Sequence, residues 1–439
     1  MTVLPFSSIY RHKCRAKNAA HLFLLLCYKD NMKESISIEE KSKRAFLVGI
    51  RDAKMSAAKA NSLFRELEGL AYTLGLEIAA REIVHLRENH ARYGMGTGKA
   101  EKLAAKSVSI DADCIIFDRD ISPSQQRNWE KLTNSIGADI SVIDRQELII
   151  QIFASRASTR EAVLQINLAE LTYSLPRLQH KYIDLARQRG GRYGTRGEGE
   201  TRLETDRRQV EQRINRLEKE LEKVKQQRQV QRRQRERRGV PICALVGYTN
   251  AGKSSVLNAL TGAGVLAEDK LFATLDPVSR RLRLPQGTQV LLIDTVGFIR
   301  RLPHNLVNAF RSTLEEAKHA DILVNILDAS DEDAAEHYET TLAILRDLGA
   351  ENIPMITVLN KADKLTSDYD ALLKQFPNSI PFCAIENPRA PSELCALNDP
   401  RELCDPSALC DPSALGDLIE QTLLFNSKIN QAGGYQIDV

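Results

Sequence analysis

No stretch of the 439-residue chain approaches the ~18–20 consecutive apolar residues that a membrane-spanning helix needs. The longest candidate, Leu22 to Cys27, is followed at once by Lys29 and Asp30, so no membrane span is expected. Cys-x-x-Cys pairs are missing as well. Cys14, Cys27, Cys114, Cys243, Cys383, Cys395, Cys404 and Cys410 are scattered, with no histidine cluster beside them. This argues against zinc and against a disulfide-stapled secreted module. Cys114 and Cys243 sit in apolar runs and read as buried thiols of a cytoplasmic protein. Nor is the chain short of apolar residues, at 43% with 27% charged, which excludes wholesale disorder. At roughly 150 residues per domain, the length predicts two to four folded units.

The net charge of +3 conceals a strong asymmetry. Between Arg187 and Arg238 there are 18 Lys and Arg against 9 Asp and Glu, so the rest of the chain is net acidic. One basic block in an acidic chain points to a polyanion engaged at a single place, although a solvated charged helix would look similar. Residues 1–31 carry Arg11, His12, Lys13 and Arg15 before the short apolar run, which resembles a weak signal peptide. The polar stretch after Met32 reads instead as an ordinary cytosolic start. Residues 1–43 are therefore treated as an N-terminal extension.

Ala45 to Ile50, Cys114 to Phe117 and Ile140 to Ile143 are strand-like runs, with helical patterns over Ser56–Leu74 and Ser124–Ser135. This alternation predicts parallel βαβ units over residues 44–158. The glycine-rich Gly94-Met95-Gly96-Thr97-Gly98-Lys99 lacks a Ser or Thr after its lysine, and reads as a loop with a structural or contact role. Over 159–238 the pattern changes. Leu164, Leu168, Leu171, Leu175, Leu178, Tyr182 and Leu185 step by four and three, as do Val210, Ile214, Leu217, Leu221 and Val224 after Leu203. Between these seams lies a glycine-rich, basic turn that cannot stay helical. An antiparallel coiled-coil hairpin follows, kinked at Pro176. Its tip presents Arg192, Arg196 and Arg202 to an RNA phosphate surface, and its second arm turns strongly basic after Leu221.

The chemistry-bearing motifs lie in residues 239–425. A strand-like run ends in Gly247-Tyr248-Thr249-Asn250-Ala251-Gly252-Lys253-Ser254, and a helix pattern follows, which is a P-loop in its required setting. Backbone amides cradle phosphates, Lys253 bridges the terminal phosphates, and Ser254 offers its hydroxyl to Mg²⁺. A second strand delivers Asp294-Thr295-Val296-Gly297, with Asp294 holding the metal through water and the Gly297 amide sensing the γ-phosphate. A third ends in Asn360-Lys361-Ala362-Asp363. There Asp363 accepts from guanine N1–H and the 2-amino group, Asn360 meets the base edge, and the stem of Lys361 covers its face. Phe272-Ala273-Thr274-Leu275-Asp276 lies between the P-loop helix and the Asp294 strand, and Thr274 is the expected metal-binding switch threonine. These motifs in this order predict a GTPase that binds GTP and GDP, with Lys253, Thr274, Gly297 and Asn250 as its catalytic set.

Where many small GTPases place a water-orienting glutamine, this chain has Phe298. Two mechanisms fit. Asn250 coordinates a monovalent cation, K⁺, that neutralises developing charge, or a docked partner supplies the missing group.

Taken together these residues resemble the HflX family of ribosome-associated GTPases, over about Arg44 to Lys364. The distinctive segments are Phe117-Asp118, Ser122-Pro123, Gln125 to Asn128, Gly197 to Glu200, Leu203-Glu204 and Asp206 to Arg208, together with the nucleotide motifs. The resemblance implies an α/β architecture in which a small α/β domain and a helical hairpin precede the P-loop GTPase domain. It also implies binding to the large ribosomal subunit and its rRNA, with splitting of stalled or idle ribosomes under stress and release on hydrolysis. Some members also hydrolyse ATP through the N-terminal part. One departure stands out. The last nucleotide motif is normally Ser-Ala, and here Cys383-Ala384-Ile385 fills that place. A repetitive insert spans 386–416, with Cys-Asp-Pro-Ser-Ala-Leu at 404 and again at 410, and a tail occupies 426–439. A ribosome-assembly GTPase and an RNA-binding scaffold that rarely hydrolyses are the competing readings. A lone hairpin on RNA needs no second copy, so a monomer is expected.

Overall fold

The computed structural model describes residues 43–188, 196–236, 239–262, 264, 268, 270–301, 316–365, 372, 374–376, 378–384 and 412–432. Within these, 178–188, 196–204, 206, 231, 235–236 and 426–432 are described as backbone only. The elements in order are β1 (Arg44–Asp52), α1 (Ala57–Thr73), β2 (Glu77–Leu86), α2 (Thr97–Ser109), β3 (Cys114–Phe117), α3 (Pro123–Ser135), β4 (Ser141–Asp144) and α4 (Arg145–Arg156). The hairpin arms are α5 (Arg160–Gln188) and α6 (Arg196–Glu236). There follow β5 (Ile242–Gly247), α7 (Lys253–Thr261), β6 (Val278–Arg283), β7 (Gln289–Asp294), β8 (Ile322–Asp328), α8 (Ala334–Leu348), β9 (Met355–Asn360), β10 (Ser379–Pro381) and α9 (Pro412–Ala432).

The N-terminal sheet has the order β2-β1-β3-β4 and is parallel throughout. Alternation along β1 divides its side chains between two cores. Phe46, Val48 and Ile50 face one layer, built around the fully buried Trp129, and Ala45 and Leu47 face the other. β2 is the strand that residue pattern did not reveal. It is an edge strand, mostly half-exposed, and its Glu-Ile-Ala-Ala-Arg-Glu run lacks a two-residue apolar period. The helix α3 starts at Ser122, whose hydroxyl accepts from the Gln125 amide while the Gln125 side chain returns to the Ser122 amide. The Gly94–Lys99 segment is half turn and half helix, since α2 begins at Thr97. Trp129 Nε1 donates to Tyr93 O at 3.0 Å and Asn128 Nδ2 to Arg92 O at 2.9 Å, so α3 holds the chain leading into it.

The second sheet runs β10-β9-β8-β5-β7-β6, with only β6 antiparallel. Along β5, Cys243 and Leu245 enter the core under α7 and α9, and Ala244 and Val246 enter the same core as Leu47, Leu67 and Phe153. The two sheets therefore share one apolar layer, with α1 and α4 between them. The helix α9 begins inside the segment expected to be insert and runs into the expected tail. Leu415, from the second Cys-Asp-Pro-Ser-Ala-Leu copy, is fully buried with Ile419, and Glu420 accepts from the Gln286 and Thr288 amides.

Where side chains are described, the hairpin seams pack against each other as their heptads require. Leu164 and Leu171 pack with Leu217 and Leu221, flanked by Leu168, Val210, Ile214 and Val224. Arg160 pairs with Glu220 and Arg228 with Glu161, which sets the start of α5 against the later part of α6. The arms are thus antiparallel, and α5 continues helical through Pro176. Arg228 and Arg232 differ from the expected free basic face. Both lie within 4 Å of Glu316, at 3.9 and 3.7 Å, so this part of the run fastens the hairpin to the GTPase domain.

At the foot of the hairpin, the Tyr173 hydroxyl lies 3.0 Å from Asp144 Oδ1 and 3.1 Å from Glu147 Oε2. A hydroxyl has one proton to share between them, so a second proton on one carboxyl would relieve the pair. Burial, and then the charge of Asp144, push Glu147 up to about 7, so below that pH it carries the proton. A folded-state pKa above the unfolded value stabilises at low pH and loses that contribution as pH rises from about 4.5 to about 7. Glu147→Gln is accordingly expected to melt higher than wild type at pH 8, by on the order of 2 kcal/mol, and to flatten the decline between pH 5 and 7. Parallel melting curves across that range would refute this.

Candidate functional site

The nucleotide motifs converge at the C-terminal ends of β5, β7 and β9 around a cavity of about 470 Å³. Its walls include Thr249, Asn250, Gly252, Lys253 and Ser254 from the P-loop, Phe272, Ala273 and Thr274 from the following loop, Gly297, and Asn360, Lys361, Asp363, Cys383 and Ala384. Ser255, Glu268, Lys270 and Lys364 also line it. No motif marked the first three, while Lys364 directly follows Asp363. Asn250, Phe272 and Lys361 adopt positive φ (61°, 56° and 60°), a conformation that non-glycine residues hold only where the surroundings impose it.

Lys253 Nζ donates to the carbonyls of Gly247 at 3.2 Å and Tyr248 at 2.8 Å. Burial lowers its ammonium to about 8, against the pull of Asp294. Gly297 packs so closely that a Cβ there would lie 2.8 Å from both Lys253 Nζ and Thr249 Cα. A side chain at 297 would thus force Lys253 Nζ and the Thr249 backbone to move. The Ser254 hydroxyl donates to Asp294 Oδ2 at 2.7 Å and lies 2.7 Å from Thr274 Oγ1. Asp294 is fully buried, and its Oδ1 has no hydrogen-bond partner. Two hydroxyls and an unsatisfied carboxylate oxygen at one point form the all-oxygen donor set of a hard divalent cation, so the residues fit Mg²⁺. When bound, Mg²⁺ neutralises charge developing on the terminal phosphates.

Several expected ligand residues have other tasks. The carboxylate of Asp276 is bonded to Ser158 and Thr159 at the hairpin foot, and Leu275 and Val296 are core side chains. Thr295 Oγ1 donates to Leu245 O at 2.7 Å inside the sheet. The Tyr248 hydroxyl donates to Glu66 Oε2 at 2.6 Å and its ring stacks on His337, so only its backbone belongs to the P-loop surface. Gly247, Ala251 and Ala362 contribute backbone conformation rather than cavity wall. Asn360 lies in the cavity wall, and its side chain also binds within the protein. Its Nδ2 donates to Ala251 O at 2.8 Å and its Oδ1 accepts from the Ala384 amide at 3.2 Å, which ties the P-loop to the last loop. Lys361 Nζ reaches Asn250 O at 2.9 Å and Asp328 at 2.7 Å, so its stem crosses the cavity. Cys383 Sγ donates to Asp363 Oδ1 at 3.2 Å, taking the role a serine hydroxyl would have. Ile385, Arg192 and most of the expected insert lie outside the described residues, and the side chains of Arg196 and Arg202 are among those not described.

Phe298 is buried in the shared core. Its amide donates to Gly247 O at 3.0 Å and its carbonyl accepts from the Thr249 amide at 2.7 Å, so it splints the P-loop to the 294–298 segment. Just beyond it, a buried ionic cluster joins the nucleotide loops to the N-terminal sheet. Glu66 contacts Arg145, accepts from Arg300 Nε at 2.8 Å and from Tyr248, and Arg145 pairs with Asp118 at 2.9 Å. No sequence pattern indicated these long-range pairings.

A phosphate-cradling loop, a magnesium-type donor set and an aspartate poised for guanine define a P-loop GTPase. Residues 61–154 match the family described as GTP-binding GTPase N-terminal, 156–235 the GTP-binding GTPase Middle Region, and 242–361 the 50S ribosome-binding GTPase. The chain is 49% identical over 331 residues to the GTPase HflX of Akkermansia muciniphila, covering 74% of this chain and 75% of that protein. It is 43% identical over 301 residues to the GTPase HflX of Escherichia coli K12, covering 69% of each. A GTP-binding protein from Sulfolobus solfataricus, solved with GDP, aligns over 87% of this chain and 99% of that one at 23% identity and a TM-score of 0.45. The chain belongs to the HflX family and is a GTPase, converting GTP to GDP and phosphate. No helix among the described residues is long and apolar enough to cross a membrane.

Proposed function

We propose that GTP binding and hydrolysis drive this protein onto and off the large ribosomal subunit, where it splits or rescues stalled or idle ribosomes, acting as a cytoplasmic monomer. The observation that carries the reading is a long helical hairpin packed into the same unit as the nucleotide site. Its second arm exposes Arg207, Arg208, Arg213, Arg216, Lys219 and Lys223. A family description that names 50S ribosome binding for the GTPase segment supports the same reading. Arg192, Arg196 and Arg202 are assigned to rRNA phosphates, Lys253, Ser254 and Thr274 to phosphate and Mg²⁺, and Asp363 to guanine. Asn250, in the cavity wall, is assigned to K⁺, which fits a site whose Phe298 cannot orient water.

The test is co-sedimentation with large subunits in GDP, in a non-hydrolysable GTP analogue and without nucleotide. Retention is expected with the analogue only. Neutralising Arg192, Arg196 and Arg202 together should weaken it and reduce its salt dependence by about three phosphate contacts. Equal retention in all three states would refute the reading. Joined ribosomes left intact by the analogue-bound protein would favour the assembly alternative.

A further inference from the structure

We propose that Asp276 is a positioning residue that ties the switch threonine Thr274 to the foot of the helical hairpin, so that a triphosphate and the hairpin are coupled through one carboxylate. The proposal rests on the reading of Thr274 as the metal-binding threonine.

The segment from Phe272 to Asp276 is held from two sides. On one, Thr274 Oγ1 lies 2.7 Å from Ser254 Oγ at the magnesium-type donor set. On the other, Asp276 Oδ2 accepts from the Ser158 amide at 3.1 Å, the Ser158 hydroxyl at 2.5 Å and the Thr159 amide at 3.1 Å. Its Oδ1 accepts from the Thr159 hydroxyl at 2.5 Å. The same Thr159 hydroxyl accepts from the Ala162 amide at 3.2 Å, as an N-cap does at the start of α5. Asp276 therefore adds a charge and four acceptor contacts at the positive end of the first hairpin arm. Partial burial works against that charge, and the hydrogen bonds outweigh it, holding the carboxyl below its ordinary range.

An ordinary cap is local, whereas this one comes from 118 residues along the chain. Leu275, between the two tethered residues, is buried, and Phe153 meets Phe272 edge-on at 4.6 Å. With so little slack, Thr274 cannot leave the metal position without disturbing Asp276 and the hairpin foot. A nucleotide that requires Thr274 at its metal binds with the help of this tether. GDP, with no γ-phosphate to engage Thr274, gains nothing from it. Linkage makes the effect mutual, so the triphosphate also secures the foot.

A double-mutant cycle on the full chain tests the coupling, using Asp276→Ala against the pair Ser158→Ala and Thr159→Ala. Affinities are measured for GDP and for a non-hydrolysable GTP analogue in Mg²⁺. Asp276→Ala, which removes all four contacts, is expected to weaken the analogue on the order of tenfold and GDP less than about twofold. The Ser158 and Thr159 pair, which leaves both amides, should weaken the analogue less, and the combined variant should be no worse than Asp276→Ala alone. Asp276→Asn keeps one acceptor oxygen and should recover part of the loss, which guards against a poorly folded alanine variant. Equal weakening of both nucleotides, additive losses, or a lowered melting point with an unchanged analogue-to-GDP ratio would each reduce Asp276 to a structural cap and overturn the proposal. Thr274→Ala retaining wild-type selectivity removes the switch assignment and the proposal with it. No ribosome enters this experiment, so failure of ribosome association in the wild type would be a separate result.

Discussion

Asp363→Asn is expected to lose preference for GTP over xanthosine triphosphate by on the order of 10⁴-fold, the scale at which a site built on buried hydrogen bonds rejects the wrong partner. A carboxylate accepts from guanine N1–H and the 2-amino group together, and an amide nitrogen in its place confronts those donors with another donor. The geometry here sharpens the expectation. Cys383 already donates to Asp363 Oδ1 at 3.2 Å, so in the variant the amide oxygen stays on the thiol and the nitrogen turns towards the base. Xanthine carries a 2-oxo group that accepts from it. Competition between the two triphosphates for the purified protein measures the switch. A variant that still selects guanine would displace Asp363 from the base pocket.

The second large effect concerns folding stability. Glu66→Ala removes the carboxylate shared by Arg145 and Arg300, both of which are at least nine-tenths buried. Truncation strips two buried cations of the buried carboxylate they share, leaving Arg145 with Asp118, which Arg301 also approaches, and Arg300 with the more exposed Asp333 and Glu336. Such a loss costs about 3–5 kcal/mol, measurable by chemical denaturation. Nucleotide affinity should fall with it. Arg300 N donates to the Tyr248 hydroxyl at 2.7 Å, and that hydroxyl is itself fixed on Glu66, which ties the P-loop and the 294–300 segment to one anchor. Stability equal to wild type would mean that water reaches the cluster. The two variants separate cleanly, since Asp363→Asn should alter base choice with little effect on folding.

The cluster also explains why the chain does not behave as beads on a string. Sequence pattern distinguishes an N-terminal α/β segment, a heptad segment and a P-loop segment, and those types of structure are present. They are not joined by free linkers, because β1 and β5 send alternate residues into one common layer and Arg300 reaches through it to Glu66. A mutation in the N-terminal sheet can therefore be felt at the phosphate site without any change in the nucleotide-binding residues.

Residue order alone determined the nucleotide chemistry. Glycines at 247, 252 and 297, Lys253, Ser254, Asp294 and Asp363 are residue types that suit phosphate, metal and base and lie in short local segments, and local segments are what a linear pattern records. Heptads determined the hairpin for the same reason, because its seam repeats along each arm. Only the tertiary structure decided what Asp276, Asn360, Tyr248, Arg228 and Glu66 do. Each has a partner drawn from a different element, up to more than two hundred residues away, and a polar side chain carries no local mark of which distant donor will satisfy it. Burial compels such groups to find partners, and the packing of the two sheets determines which ones.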